Sequence, residues 1–208
     1  MKLLRTLFAA AIASTLAISA QAAKSEPQTT GTVDVKTGQT AIRLNSAFSG
    51  ALQVSEVVAS KITPGKVVTG KNELRFPVTG GAIDLVTLTS EIIHSGGVNF
   101  SKGEVSVSAL DLIISIPTAG SESPAVVSAI VVVNGNSLGR VDLFSIEATL
   151  TAPLEVPNNK KIVVKDVDLT LTQAGADALN SAFELSVFTT STVVGTATVS
   201  ATVVKGSL

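Results

Sequence analysis

The chain has 208 residues, with 15 Lys and Arg against 16 Asp and Glu, one His, no Cys, Trp or Tyr, and a single Met, at position 1. Without thiols there is no disulfide framework, thiolate metal site or cysteine nucleophile. With one His the usual acid–base and nucleophilic sets are missing too, so the composition points away from an enzyme. The near-neutral charge also lacks the basic excess that nucleic-acid binding requires.

In chain order, residues 1–22 read as a secretory signal peptide. Lys2 and Arg5 give it a basic start, an apolar stretch runs from Leu3 to Ile18, and Ala20-Gln21-Ala22 supplies small residues for cleavage. The apolar stretch is short for a membrane anchor, gives way at once to KSEPQTTG, and carries no Cys for lipid attachment. The expectation is an exported protein, periplasmic or extracellular, with no integral membrane segment after cleavage. Cleavage removes two of the 15 basic residues and none of the 16 acidic ones, leaving 13 against 16. Residues 23–31 are polar and turn-rich and are expected to be disordered. Residues 32–208 are expected to form a single β-rich domain, long enough to hold one core without disulfides.

From residue 32 onward Val, Ile, Thr and Leu recur in short runs broken by Gly, Pro and Asn, a strand signature. Strands are expected at Val33–Val35, Leu52–Val58, Glu73–Val78, Ala82–Thr89, Ile92–Phe100, Glu104–Ile116, Val126–Val133, Gly139–Leu150, Lys161–Leu171, Leu185–Thr189 and Val193–Val204. The fold class they predict is mainly β, an antiparallel β-sandwich or a relative of it. Asp34, Asp84, Asp111, Asp142 and Asp168 each stand between apolar neighbours. Strand alternation sends the neighbours inward and each Asp to water, and there is no calcium loop to give them another role.

The pentapeptide LNSAF occurs at Leu44–Phe48 and again at Leu179–Phe183. The second copy follows Thr172, a helix cap, with Ala176, Leu179 and Phe183 at helical spacing. The first copy follows Val33-Asp34-Val35 and a Thr-containing stretch that reads as a turn. The two copies predict one or two short helices in a repeated strand-helix-strand unit, each laying Leu and Phe over a sheet end.

Two segments invite a chemical reading. GNSLG at Gly135–Gly139 fits the G-x-S-x-G pattern of serine hydrolases, but the following RVDLFSIEATL alternates like a strand and the only His precedes it. Asn134-Gly135 between strands is instead a hairpin turn. His94, in IIHSGGVNF, stands beside Gly96-Gly97 as a strand residue; its functional reading is a ligand to a bound cofactor, where one axial residue suffices.

The stretch ELRFPVTGGAIDLVTLTSEIIHSGGVNFSKGEVSVSALDLIIS, then GRVDLFSIEATLTAP, DVDLTLTQAGADALNSAF and GTATV, resembles secreted bacterial proteins related to the HtaA domain, over Glu73 to Val199. The resemblance implies an HtaA-like β-domain at the cell surface or in the periplasm, in the best-known members a haem-binding one, with His94 at the family's histidine position. It also implies a tyrosine as axial ligand, and this chain has no Tyr. The cofactor is therefore left open. The function expected is a non-enzymatic binding module of the cell envelope or exterior, with His94 and Phe100 as the cofactor-binding pair and a small ligand or a cell-envelope protein as partner. The alternative is a structural surface, matrix or fibre subunit that self-assembles, since TVVGTATVSATVV is a strand of a kind that adds to another sheet edge.

Overall fold

Side chains that alternate between apolar and polar force each strand to hide one face, and in the computed structural model of the protein the strands do so by closing on themselves. Residues 30–68, 70–118, 120–147, 156 and 160–206 are described. The expected signal peptide, and all but the last two residues of the segment 23–31, lie outside them. The elements are β1 (Thr32–Leu44), α1 (Ser46–Val54), β2 (Val58–Ile62), β3 (Lys66–Val68), β4 (Glu73–Asp84), β5 (Ser90–His94), β6 (Gly97–Lys102), β7 (Val105–Ile116), β8 (Val126–Val133), β9 (Asn136–Glu147), β10 (Lys161–Leu171), α2 (Gln173–Phe183) and β11 (Val193–Lys205).

Eight of the strands form a closed antiparallel barrel in the order β1, β4, β5, β7, β8, β9, β10, β11 and back to β1. This corrects the β-sandwich expectation. Alternation tells which side chains point inward, but two facing sheets and one rolled sheet demand the same pattern. Closure rests on two pairings no local signal announces, β1 with β11 and β7 with β8. It also leaves β11 paired on both sides, with β1 and β10, so TVVGTATVSATVV is an interior strand with no free edge to offer a second copy.

One barrel position is shared by two short strands. β7 pairs with β5 along Ile113–Ile116 and with β6 along Val105–Leu110, and its register slips between Leu110 and Ile113. The expected strand Ile92–Phe100 is thus broken at Ser95-Gly96, where Gly96 has φ +79 and lies against the Thr63–Gly65 turn without room for a Cβ. β2 lies outside β6, and β3 pairs with the start of β4.

β1 and β10 both run antiparallel to β11, which lies between them, so α1 and α2 leave the barrel at the same end. Phe48, Leu52, Leu179 and Phe183 are all buried there; α2 lays the Leu and Phe of its LNSAF copy on the core as expected, whereas in the first copy Leu44 ends β1 and Leu52 packs beside Phe48 in its stead. The two LNSAF copies are thus not equivalent. In the first, Asn45 is the N-cap and Phe48 lies in the first turn of α1, whereas in the second all five residues form the last turns of α2. Identical residues serve opposite helix ends because Asn caps a start as readily as it bonds a neighbouring loop, and Phe buries in either place.

Three further expectations shift. β1 runs on for 13 residues through the expected turn, because Gly38 is needed where the backbone of β11 comes too close for any Cβ, not for a bend. Leu52–Val54 belong to α1, and Leu185–Thr189 has no strand pairing. Of the expected Gly139–Leu150 strand, residues 148–150 lie outside the described ones. The Asn134-Gly135 hairpin holds, with φ of 51 and 82, as does water exposure for Asp111, Asp142 and Asp168. Asp84 differs in closing a turn, its Oδ1 accepting from Val86 N at 2.9 Å and Thr87 N at 2.7 Å.

Candidate functional site

His94 ends β5 with its ring inside the barrel, 2% exposed. The slip in β7 leaves the Leu112 carbonyl outside the ladder, and His94 Nδ1 lies 3.0 Å from it. A carbonyl can only accept, so Nδ1 carries the proton and Nε2 keeps its lone pair. Thr40 Oγ1, 2.7 Å away and also buried, donates to that lone pair. Both ring nitrogens are thus satisfied by the protein. Burial holds the imidazole below its ordinary pKa of 6.5, while hydrogen bonds with the Leu112 and Ile92 backbone pull the other way. The ring is a neutral core residue. Beside it is a cavity of about 60 Å³ walled by aliphatic side chains such as Ile83, Ile114 and Val199, with Ser90 and Thr40 its other polar groups.

Phe100 does not join it. The structure places Phe100, 7% exposed, in a second interior cavity of about 40 Å³ beneath the two helices, walled by Phe48, Leu179 and Val131 among others. Ligand pockets usually hold at least about 300 Å³, so neither interior space admits a molecule of cofactor size.

A larger space opens on the surface at the helical end. Its volume is about 380 Å³, and it lies between α1 and the segment leading into β11. Asn45 Oδ1 caps α1 by accepting from Ala47 N at 2.8 Å, and Asn72 Nδ2 ties the helix to β4 through the Leu44 carbonyl and Ser49 Oγ. Ala47 and Ala51, one turn apart, face the cleft, and their small size makes the room. The opposite wall is held by Asn180 of α2, which donates to the Phe188 carbonyl at 2.8 Å and accepts from Phe188 N at 3.2 Å. Phe48 and Phe188, with ring centroids 5.6 Å apart, lie buried beneath its floor. Val187 and Val193 stand exposed at its edge, and Asn45, Ser191 and Thr192 supply its polar groups. Asn45, Ala47, Phe48 and Asn180 belong to the two LNSAF copies, which the sequence marks as packing and not as a site. The two alanines are ordinary helix residues, and the two valines read as strand; only their exposure beside a buried aromatic pair marks the place.

Among the described residues the lining of the cleft includes no charged residue and no His, Tyr, Cys or Met. An iron porphyrin takes an axial ligand from such residues, so the donor set does not fit haem at the cleft. At His94 the nitrogen that would bind iron is bonded to Thr40 in a space of about 60 Å³. Among the described residues no three His, Cys, Asp or Glu come together as a metal site, and no helix is long and apolar enough to cross a membrane. Ser137 of the GNSLG segment lies on exposed β9 and is followed by strand, not helix.

No family model matches the chain, and no curated relative does. Solved structures do. The C-terminal domain of HtaA from Corynebacterium glutamicum matches with a TM-score of 0.63 at 16% identity, over 83% of this chain and 99% of that domain. The heme binding protein HtaB from the same organism matches with a TM-score of 0.57 at 13% identity, over 84% and 96% of the two chains. The N-terminal domain of HtaA gives a TM-score of 0.55 at 14% identity, over 81% and 97%. Identities this low speak to the fold alone, and the chain has the fold of the HtaA domains.

Proposed function

We propose that the protein is an exported, non-enzymatic binding module of HtaA-like fold that takes a small ligand in the cleft between α1 and the segment before β11. The observation that carries the reading is the cleft itself, of ligand size, on a fold shared almost end to end with a heme binding protein. A barrel gives such a module a rigid frame, and the cleft sits where the Asn45 cap of α1 and the Asn180 clamp fix its walls. The signal-peptide character of residues 1–22 supports export, to the periplasm or outside the cell. Interior His94 and Phe100 support the frame, the first by filling the polar gap in β7 and the second by packing under the helices.

The test uses the Trp-free and Tyr-free composition. Ala51→Trp fills the cleft and installs the sole strong fluorophore. The protein without that substitution should bind the polarity-sensitive dye Nile red at one saturable site, and Ala51→Trp should not. Equal binding by both proteins would remove the cleft from the account.

A further inference from the structure

The end of the barrel opposite the helices carries two features that the cleft does not use. β4 ends there at Asp84, which pairs with Thr32 at the start of β1, and β5 starts there at Ser90; the other end of β1, Leu44, leads into α1. Ser90, Ile92 and His94 alternate inward along β5. Ser90 is 8% exposed, yet its hydroxyl bonds to no described residue and opens on the cavity of about 60 Å³ that also touches His94. At the His94 end the polar groups are committed, Thr40 to the ring and the ring to Leu112. Four residues of strand, about 13 Å, separate that pair from Ser90, and the wall between is aliphatic, with Ile92, Ile114 and Val199.

Leu88 lines the same cavity from the turn between β4 and β5. Its φ of +62 is a left-handed backbone that a bulky side chain rarely adopts. Asp84 holds the turn in that shape, its carbonyl accepting from Leu88 N at 2.9 Å and its Oδ1 from Val86 N and Thr87 N. Strain kept in place by its surroundings gathers at ligand clamps. A glycine at position 88 would relax the backbone but leave the mouth of the cavity without the side chain that now lines it.

We infer that the barrel interior is a second binding site, for a short, uncharged, unbranched molecule with one hydrogen-bonding end, of the class of two- or three-carbon alcohols. Its polar end meets the Ser90 hydroxyl, and its carbons lie along the aliphatic wall toward His94. Eight-stranded barrels are wide enough inside to hold one small ligand. At about 10–15 Å³ for each water-sized sphere, the cavity has room for about four such atoms in a row. Water itself is the poorer occupant, because it needs two to four polar partners and Ser90 supplies the one uncommitted hydroxyl among the described lining. A charged molecule would find no counter-ion there.

The experiment titrates the protein with methanol, ethanol, 1-propanol, 1-hexanol and tert-butanol and follows the isoleucine methyl signals by NMR. Ile83, Ile92 and Ile114 line the cavity, and Ile62 on β2 is the reference outside it. Saturable shifts confined to the lining isoleucines are expected, with affinity rising about fourfold per added CH₂ from methanol to 1-propanol. The rise should stop before 1-hexanol, and branched tert-butanol should bind more weakly than 1-propanol. Ser90→Ala breaks no hydrogen bond within the protein and so keeps the fold, and it should weaken 1-propanol at least threefold. Leu88→Gly, which relieves the backbone, should speed exchange of bound 1-propanol at least fivefold. Shifts at Ile62 as large as those inside, affinity that keeps climbing through 1-hexanol, or equal binding of 1-propanol by Ser90→Ala would each overturn the inference. The cleft has no isoleucine among its lining, so failure here leaves the cleft reading to its own test.

Discussion

Replacing Thr40 by Val isolates one of the two hydrogen bonds that hold the His94 ring in the interior. The substitution keeps the branched shape and deletes the hydroxyl that donates to His94 Nε2 at 2.7 Å. The nitrogen then stays buried without a partner, which costs about 1–3 kcal/mol. For a protein of this size each kcal/mol lowers Tm by about 2–4 °C. His94→Leu leaves the Thr40 hydroxyl and the Leu112 carbonyl unpaired and should cost at least as much. In the double variant the hydroxyl and the ring disappear together, so the loss should fall short of the sum of the two singles by about 1–2 kcal/mol. Urea unfolding of the four proteins at pH 7.5 gives the cycle. Additive single effects, or a Thr40→Val protein as stable as the unsubstituted one, would refute the pairing.

The same ring predicts the sign of a pH effect. Burial lowers the folded pKa of His94 below its ordinary 6.5, so between the two values the unfolded chain carries a proton that the folded chain refuses. Stability should fall as pH drops below about 6.5 and keep falling until the folded pKa is reached, and His94→Leu should abolish that part of the slope. Phe48→Ala, which removes a ring 2% exposed and 5.6 Å from Phe188, should cost about 3–5 kcal/mol in urea unfolding. Gly175→Ala would bring a Cβ to 2.3 Å from the Leu143 carbonyl oxygen; forcing α2 off β9 should cost about 1–3 kcal/mol. Asn180→Ala removes both bonds to Phe188. Faster hydrogen exchange in residues 185–192 than in the barrel strands is the expected result, with weaker Nile red binding.

Strand identity was largely legible because a barrel interior enforces alternation, as in β7, where Val107, Ala109, Leu112 and Ile114 turn inward. The slip at Asp111 was not, since the Leu-Asp-Leu run looks regular and only its pairing with two different strands reveals a bulge. Gly38 and Gly96 show the limit from another side: both look like turn residues, yet Gly38 sits inside a strand to let β11 approach, while Gly96 does break one. His94 and Phe100 are near in sequence but point into different cavities, because the strand break falls between them. The cleft was invisible for a physical reason. It is made by what is small or exposed, Ala47, Ala51 and Val187, and such residues carry no chemical signature.

The most direct test of the account is NMR of the labelled protein, in which the single histidine gives an unambiguous ring signal. Titration with Nile red should move the backbone amides of Ala47, Ala51, Ser191 and Thr192 while the His94 ring keeps its Nδ1–H tautomer and its position. A ring that moves first, or that exchanges between tautomers in the free protein, would place the ligand at His94 and contradict the account.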